Sequence, residues 1–226
     1  MIHAAGALFH SDLAQAAGKI ALDIPAIGLD LASVSGHKFY GPKGVGALYV
    51  RRRPRVRLAP LFSGGGQERG LRSGTLPVPL VAGFGVACSI AAREQAEESI
   101  RLRLLRDRLL DRLIRAIPGL EVNGSLTHRI PGNLNLRFPG RPASQIIARA
   151  PALCLSTGSA CSSAEIEPSS VLRAMGLSHD EAGRSLRLAI GRFTSPAELD
   201  QVVGILVHAH DPSATDHPSE TAECPR

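Results

Sequence analysis

A chain of 226 residues, 44% hydrophobic and 4% aromatic, is long enough to bury one large core or one and a half ordinary ones. The net charge is +6, but the arginines are dispersed and aromatic rings on which bases could stack are scarce, which argues against a nucleic-acid surface. The four cysteines, Cys88, Cys154, Cys161 and Cys224, form no C-x-x-C pair and no zinc-spaced cluster, and four in a chain of this size make no disulfide framework.

From the start, Ala7-Leu8-Phe9 reads as a short buried strand. At its C-terminal end stand His10, Asp12 and Gln15, the position at which open α/β sheets place their ligands. Asp12 is also a helix N-cap candidate for residues 13–17, and the two roles are compatible. Residues 29–34 read as a second strand and 47–50 as a third.

Between these last two strands lies a polar loop carrying Ser35, His37 and Lys38. Lysine is rare here, Lys19, Lys38 and Lys43 being the only three, so a lysine in such a loop is notable. An amine can lose its proton and form a Schiff base with a carbonyl, whereas a guanidinium cannot. Taken alone, though, a loop lysine beside Gly and Pro is most simply a solvated charge. The arginine run at 51–57 reads as a solvated connection. The glycine-rich stretch 63–77 offers backbone N–H groups together with Arg72, Ser73 and Thr75, the makings of an anion-binding loop.

Residues 80–117 read as one long helix, bent near Gly83 to Gly85, with Leu102, Leu105, Leu109 and Leu113 on one stripe and its arginines on a solvated face. Its first part, 80–88, is apolar all round and is expected to be buried, Cys88 with it. Beyond Pro118-Gly119 the pattern alternates: strands at 120–122, 133–138, 153–155 and 185–190, helices at 143–150, 168–175 and 196–209, the last capped by Ser195. Cys154 is placed in the core. A small-residue loop, 156–163, holds Cys161. The tail, 210–226, has the composition of a disordered segment. The first residues lack the order of a signal peptide and no segment has the length of a membrane span, so a cytoplasmic protein with no membrane association is expected.

Taken together, the motifs are specific. His10-Ser-Asp12-Leu-Ala-Gln15, Ser35-Gly36-His37-Lys38-x-x-Gly-Pro-Lys43-Gly, Gly64-Gly-Gly-Gln-Glu-Arg-Gly-x-Arg72-Ser-Gly-Thr75, Gly158-Ser-Ala-Cys161-x-Ser, Glu167-Pro-Ser and Ser185-x-Arg187 occur in this order. Over residues 10–209 the chain closely resembles the cysteine desulfurases, pyridoxal-phosphate (PLP) enzymes of the class V aminotransferase fold, and in the loop around Cys161 their iron–sulfur-assembly branch.

The resemblance implies an α/β fold, in which residues 1–117 are part of a PLP-binding large domain with its connecting helix and 118–209 a small domain carrying the cysteine loop. It implies that Lys38 binds PLP covalently and serves as general acid and base, that Asp12 pairs with the pyridine nitrogen, and that Gln15 bonds the phenolic oxygen. Ser35 and His37 would hold the phosphate, with Thr75 reaching across from a second subunit of a homodimer. Arg187 would clamp the carboxylate of the substrate, L-cysteine. Cys161 would take its sulfur as a persulfide and pass it to an iron–sulfur scaffold or other acceptor protein. No resident metal is implied; Cys161 is the residue that would transiently ligate a cluster.

In the family a substantial part of the large domain, with the ring-stacking histidine and a phosphate-binding turn, precedes the segment matching His10. The chain therefore reads as the C-terminal portion of such an enzyme: a gene fragment, a mis-assigned start or one piece of a split protein. Uncovered apolar faces, weak PLP binding and weak activity are expected of it in isolation. Two alternatives are a selenocysteine lyase-like enzyme of the same class and an inactive remnant that docks a scaffold.

Overall fold

The computed structural model describes residues 1–157, 168–211 and 213. It divides into two compact units, Met1–Ser99 and Ile100–Arg226. The sequence suggests a division at the end of the long helix. Packing draws it inside the helix, because the leucine stripe of the second half is buried with the C-terminal unit.

The first unit is built on a three-stranded sheet of order β1-β2-β3, with β1 at His10–Asp12, β2 at Leu31–Ser35 and β3 at Gly46–Val50. β1 and β2 are parallel, with Asp12 opposite Ser33, and β2 and β3 are antiparallel, with Ser35 opposite Gly46. Alternation along the strands puts Asp12, Ser33 and Ser35 on one face and Ala32 and Val34 on the other. Ala32, Leu13 and Leu29 form a small buried cluster with Val34 packed against it. The apolar run 7–9 precedes the strand instead of forming it, and Leu8 is 58% exposed. A short helix, α1 (Ile24–Ile27), capped by Asp23, was not evident from the sequence.

Helix α2 runs continuously from Val78 to Ala116, through Gly83 and Gly85. Its start is not buried as the composition suggests: Val78, Val81 and Val86 are exposed, and so is Cys88. An all-apolar helix surface has inward positions only where another element covers it, and in this unit Ala87 and Ala91 alone are fully covered, against Phe39.

The second unit holds the larger core. Its sheet is antiparallel throughout, in the order β4 (Glu121–Val122), β5 (Asn133–Arg137) and β6 (Ser185–Ala189). Leu134, Leu136, Leu186 and Leu188 face inward against Leu102, Leu109 and Leu113 of α2 and against α3 (Ala143–Arg149) and α6 (Pro196–His210). The α2 arginines are not simply solvated. Arg101 donates to the carbonyls of Gly191, Arg192 and Thr194, Arg108 and Arg112 pair with Asp200, and Arg106 is buried. α6 begins as expected, at a capping box of Ser195 and Glu198 with Pro196 in the first turn. α4 is short, Ser170–Ala174, and a second capping box, Ser178 with Glu181, starts α5 (His179–Gly183), which the sequence reading missed. Residues 153–155 form no strand; Ser156 alone bridges to Arg187, and Cys154 is exposed, not core. Cys161, Cys224 and nearly all of the tail lie outside the described residues.

Candidate functional site

β1 and β2 run parallel, so their C-terminal ends fall at the same end of the sheet, and the first unit gathers its polar residues there. Asp12 is the last residue of β1 and is exposed; its Oδ1 accepts the Ala14 N–H at 2.7 Å. That bond orders the turn beyond the strand, yet the segment is a run of turns and not the helix an N-cap would start. Oδ2 of Asp12 takes no hydrogen bond among the described residues. Gln15 lies in the same turns, exposed, with its Oε1 accepting from Lys19 Nζ at 2.7 Å.

At the end of β2 the chain enters a 3-10 turn, Gly36–Phe39, closed by Tyr40 at φ 71°, whose N–H returns to a carbonyl of that turn. Phe39 anchors it: the side chain is 4% exposed and its ring lies 5.7 Å from that of Phe84. With Phe39 inward, His37 and Lys38 are turned out into solvent. Gly36 is required here, since a Cβ would stand 2.9 Å from Phe84 and 3.1 Å from the Val45 carbonyl. The Gly36 N–H donates to that same carbonyl at 3.0 Å, tying the turn to the start of β3. Lys38 has no hydrogen bond or ion pair among the described residues, so its amine is uncommitted.

Thr75 is exposed at the end of the glycine-rich loop. That loop is ordered by its own side chains: Ser73 Oγ donates to the Ser63 carbonyl at 3.1 Å, and Gly74 N–H donates to Gln67 Oε1 at 3.1 Å. Arg187, in the second unit, projects from the exposed face of β6 between inward-facing Leu186 and Leu188. Its backbone N–H donates to the Ser156 carbonyl at 2.7 Å and its guanidinium to Ser156 Oγ at 3.4 Å. Ser156 was not singled out in the sequence, where no periodicity marks it. Cys161 follows shortly after, outside the described residues.

Asp12, Gln15, Ser35, His37 and Lys38 thus come to one end of one sheet. A carboxylate, a hydroxyl and an uncommitted amine are the donor set that PLP requires for its ring nitrogen, phosphate and aldehyde, and these residues fit it. Asp30, whose buried carboxylate ties the other end of the sheet together, carries no motif in the sequence. The available signal was an acidic residue between Leu29 and Leu31 inside an apolar run.

Comparison with known proteins gives the family. A family model described as aminotransferase class-V matches residues 1–202. A cysteine desulfurase IscS of Rickettsia typhi is 50% identical over 198 residues, 88% of this chain and 48% of that protein. One from Anaeromyxobacter is 53% identical over 204 residues, 90% of this chain and 50% of that protein. The structure of a NifS-like protein from Rickettsia africae superposes with a TM-score of 0.80 at 29% identity, covering 92% of this chain and 55% of that one. The chain spans about half the length of the curated relatives it matches. On a family match that covers most of its length, the chain belongs to the aminotransferase class-V family.

Proposed function

We propose that the chain carries the cofactor anchor and the sulfur-transfer residues of a PLP-dependent cysteine desulfurase. The observation that carries this reading is the uncommitted Lys38 amine, set at the same end of the sheet as Asp12 and Ser35. When bound, PLP supplies an electron sink for bond-breaking around the substrate's α-carbon.

The protein's own residues supply the rest. Lys38 anchors the cofactor and then moves protons at the substrate carbons. The Asp12 carboxylate keeps the ring nitrogen protonated, and Gln15 donates to the phenolic oxygen. Ser35 and His37 hold the phosphate at the turn that follows β2. Thr75 completes that phosphate site in a second copy of the chain, which makes the working unit a homodimer. Arg187 binds the carboxylate of L-cysteine through two parallel hydrogen bonds, as a guanidinium fork does.

The Cys161 thiolate attacks the substrate sulfur. The carbon–sulfur bond breaks, a sulfur–sulfur bond forms, and the electron pair left on carbon takes a proton. L-cysteine and the enzyme thiol become L-alanine and the enzyme persulfide, whose outer sulfur goes to an acceptor protein such as an iron–sulfur scaffold. The thiol must remain reduced between turnovers, which suits the cytoplasm.

The test is to incubate the protein with PLP and L-cysteine and follow alanine release and persulfide by mass spectrometry. Lys38→Ala is expected to abolish both. Cys161→Ala is expected to abolish the persulfide while PLP still binds. Persulfide formation undiminished in Cys161→Ala would refute the assignment, and turnover of selenocysteine but not cysteine would favour a lyase of the same class.

A further inference from the structure

The cofactor end of the sheet depends on a slender device. β1 is three residues long and, among the described residues, lies at the sheet edge and pairs with β2 alone. A slip of one residue in that pairing would turn Asp12 to the opposite face from Ser35. This short ladder is backed by the cluster of Leu13, Leu29 and Ala32 and, at the far end, by Asp30.

The Asp30 side chain is 4% exposed. Its Oδ2 accepts the Phe9 N–H at 2.7 Å and faces His3 Nε2 at 2.7 Å, while Oδ1 lies 3.2 Å from Arg51 Nη1. Its backbone N–H donates to the Phe9 carbonyl at 2.8 Å, and its carbonyl accepts the Arg51 N–H at 2.8 Å. Arg51 Nε donates to the Leu29 carbonyl at 3.0 Å. One residue therefore bonds the segment leading into β1 and the segment leaving β3 to the start of β2. The same donors, the Phe9 amide first and His3 next, hold the Asp30 carboxyl below its ordinary range.

We propose that Asp30 is a positioning residue for the cofactor site: by fixing β1 and β3 on β2 it sets where Asp12 stands relative to Ser35 and Lys38. The proposal rests on the PLP reading above. Without the carboxylate, the Phe9 N–H loses its acceptor and the half-buried Arg51 its counter-charge, both of which favour a shift of the short strand.

The test combines two readouts on the full chain carrying Asp30→Ala: hydrogen exchange at the Leu13 amide, which donates to the Ser33 carbonyl at 2.9 Å just beyond β1, and PLP affinity from an absorbance titration. Leu13 exchange is expected to rise about tenfold or more, with a similar loss of PLP affinity and a shifted absorption band, while the β5–β6 amides are unchanged. His3→Ala removes one donor from a half-exposed position and is expected to act in the same direction but less, so the result does not hang on one variant folding. Unchanged Leu13 exchange, or PLP affinity within twofold of wild type, would overturn the proposal. A wild-type chain that takes up no PLP would instead refute the cofactor reading, and with it Asp30's part in that site. Leu13 exchange would still decide whether Asp30 holds the register.

Discussion

At the scale of single residues, Lys38 is presented by the burial of its neighbour. Phe39 enters the pocket formed by Phe84, Ala87 and Ala91, and the tight turn throws the two preceding side chains outward. This was legible only in part. The spacing of Ser35, His37 and Lys38 was plain in the chain, but the anchoring role of Phe39 depends on a helix about forty-five residues downstream, which no local pattern reveals. The cysteines show the converse. Cys88 and Cys154 lie in apolar runs, yet both are exposed, because hydrophobicity marks what is able to be buried and not what is covered. Partial desolvation still pushes the Cys88 thiol up, away from the thiolate a sulfur acceptor needs. Cys88→Ser is therefore expected to change stability by no more than about 0.5 kcal/mol, as at ordinary surface sites, and to leave persulfide formation intact. A loss of several times that size in a urea melt would mean the position is core after all.

At the scale of elements, the clearest signals were those with local chemistry. Ser195 marks the start of α6 in the chain, and the helix starts there, in a box that Glu198 completes. The equivalent box at Ser178 and Glu181 is hard to read in the chain because α5 is only one turn or so long and carries no apolar period. Strand ends were less legible: β1 begins after the apolar run and not within it, since its pairing is set by β2.

The caps also make a pH prediction. Hydrogen bonds from the Ser195 backbone and hydroxyl hold Glu198 below its ordinary range, and those from Ser178 do the same for Glu181, helped by Arg137 and Arg184. A carboxyl depressed in the folded state contributes stability that is complete above its unfolded pKa, about 4.3 for glutamate, and is lost as pH falls through the folded value. Ser195→Ala is expected to cost about 1 kcal/mol at neutral pH, with the gap to wild type narrowing below about pH 4. A gap that widens on acidification would contradict this account of the cap.

At the scale of the whole molecule, the two units differ in how much each buries. The second has a continuous core from Leu102 to Ala209, whereas the first has only the small clusters around Leu29 and Phe39. It also exposes Leu61 at 89%, Phe62 at 73% and Val78 at 69%. Fewer buried apolar contacts mean a lower free energy of local opening. Amides of β1 to β3 are expected to exchange at lower urea than those of β5 and β6, in two separable steps. A single concerted transition across both sheets would show that the units stabilise each other more than their separate cores imply. Among the described residues, no helix is long and apolar enough to cross a membrane.

Reductive trapping tests Lys38 as the cofactor anchor. The protein is saturated with PLP, reduced with borohydride, digested and mapped by mass spectrometry, with Lys38→Ala run in parallel. The account predicts a single pyridoxyl adduct on the peptide containing Lys38 and no adduct in the variant. An adduct on Lys19 or Lys43, or the same yield without Lys38, would contradict it.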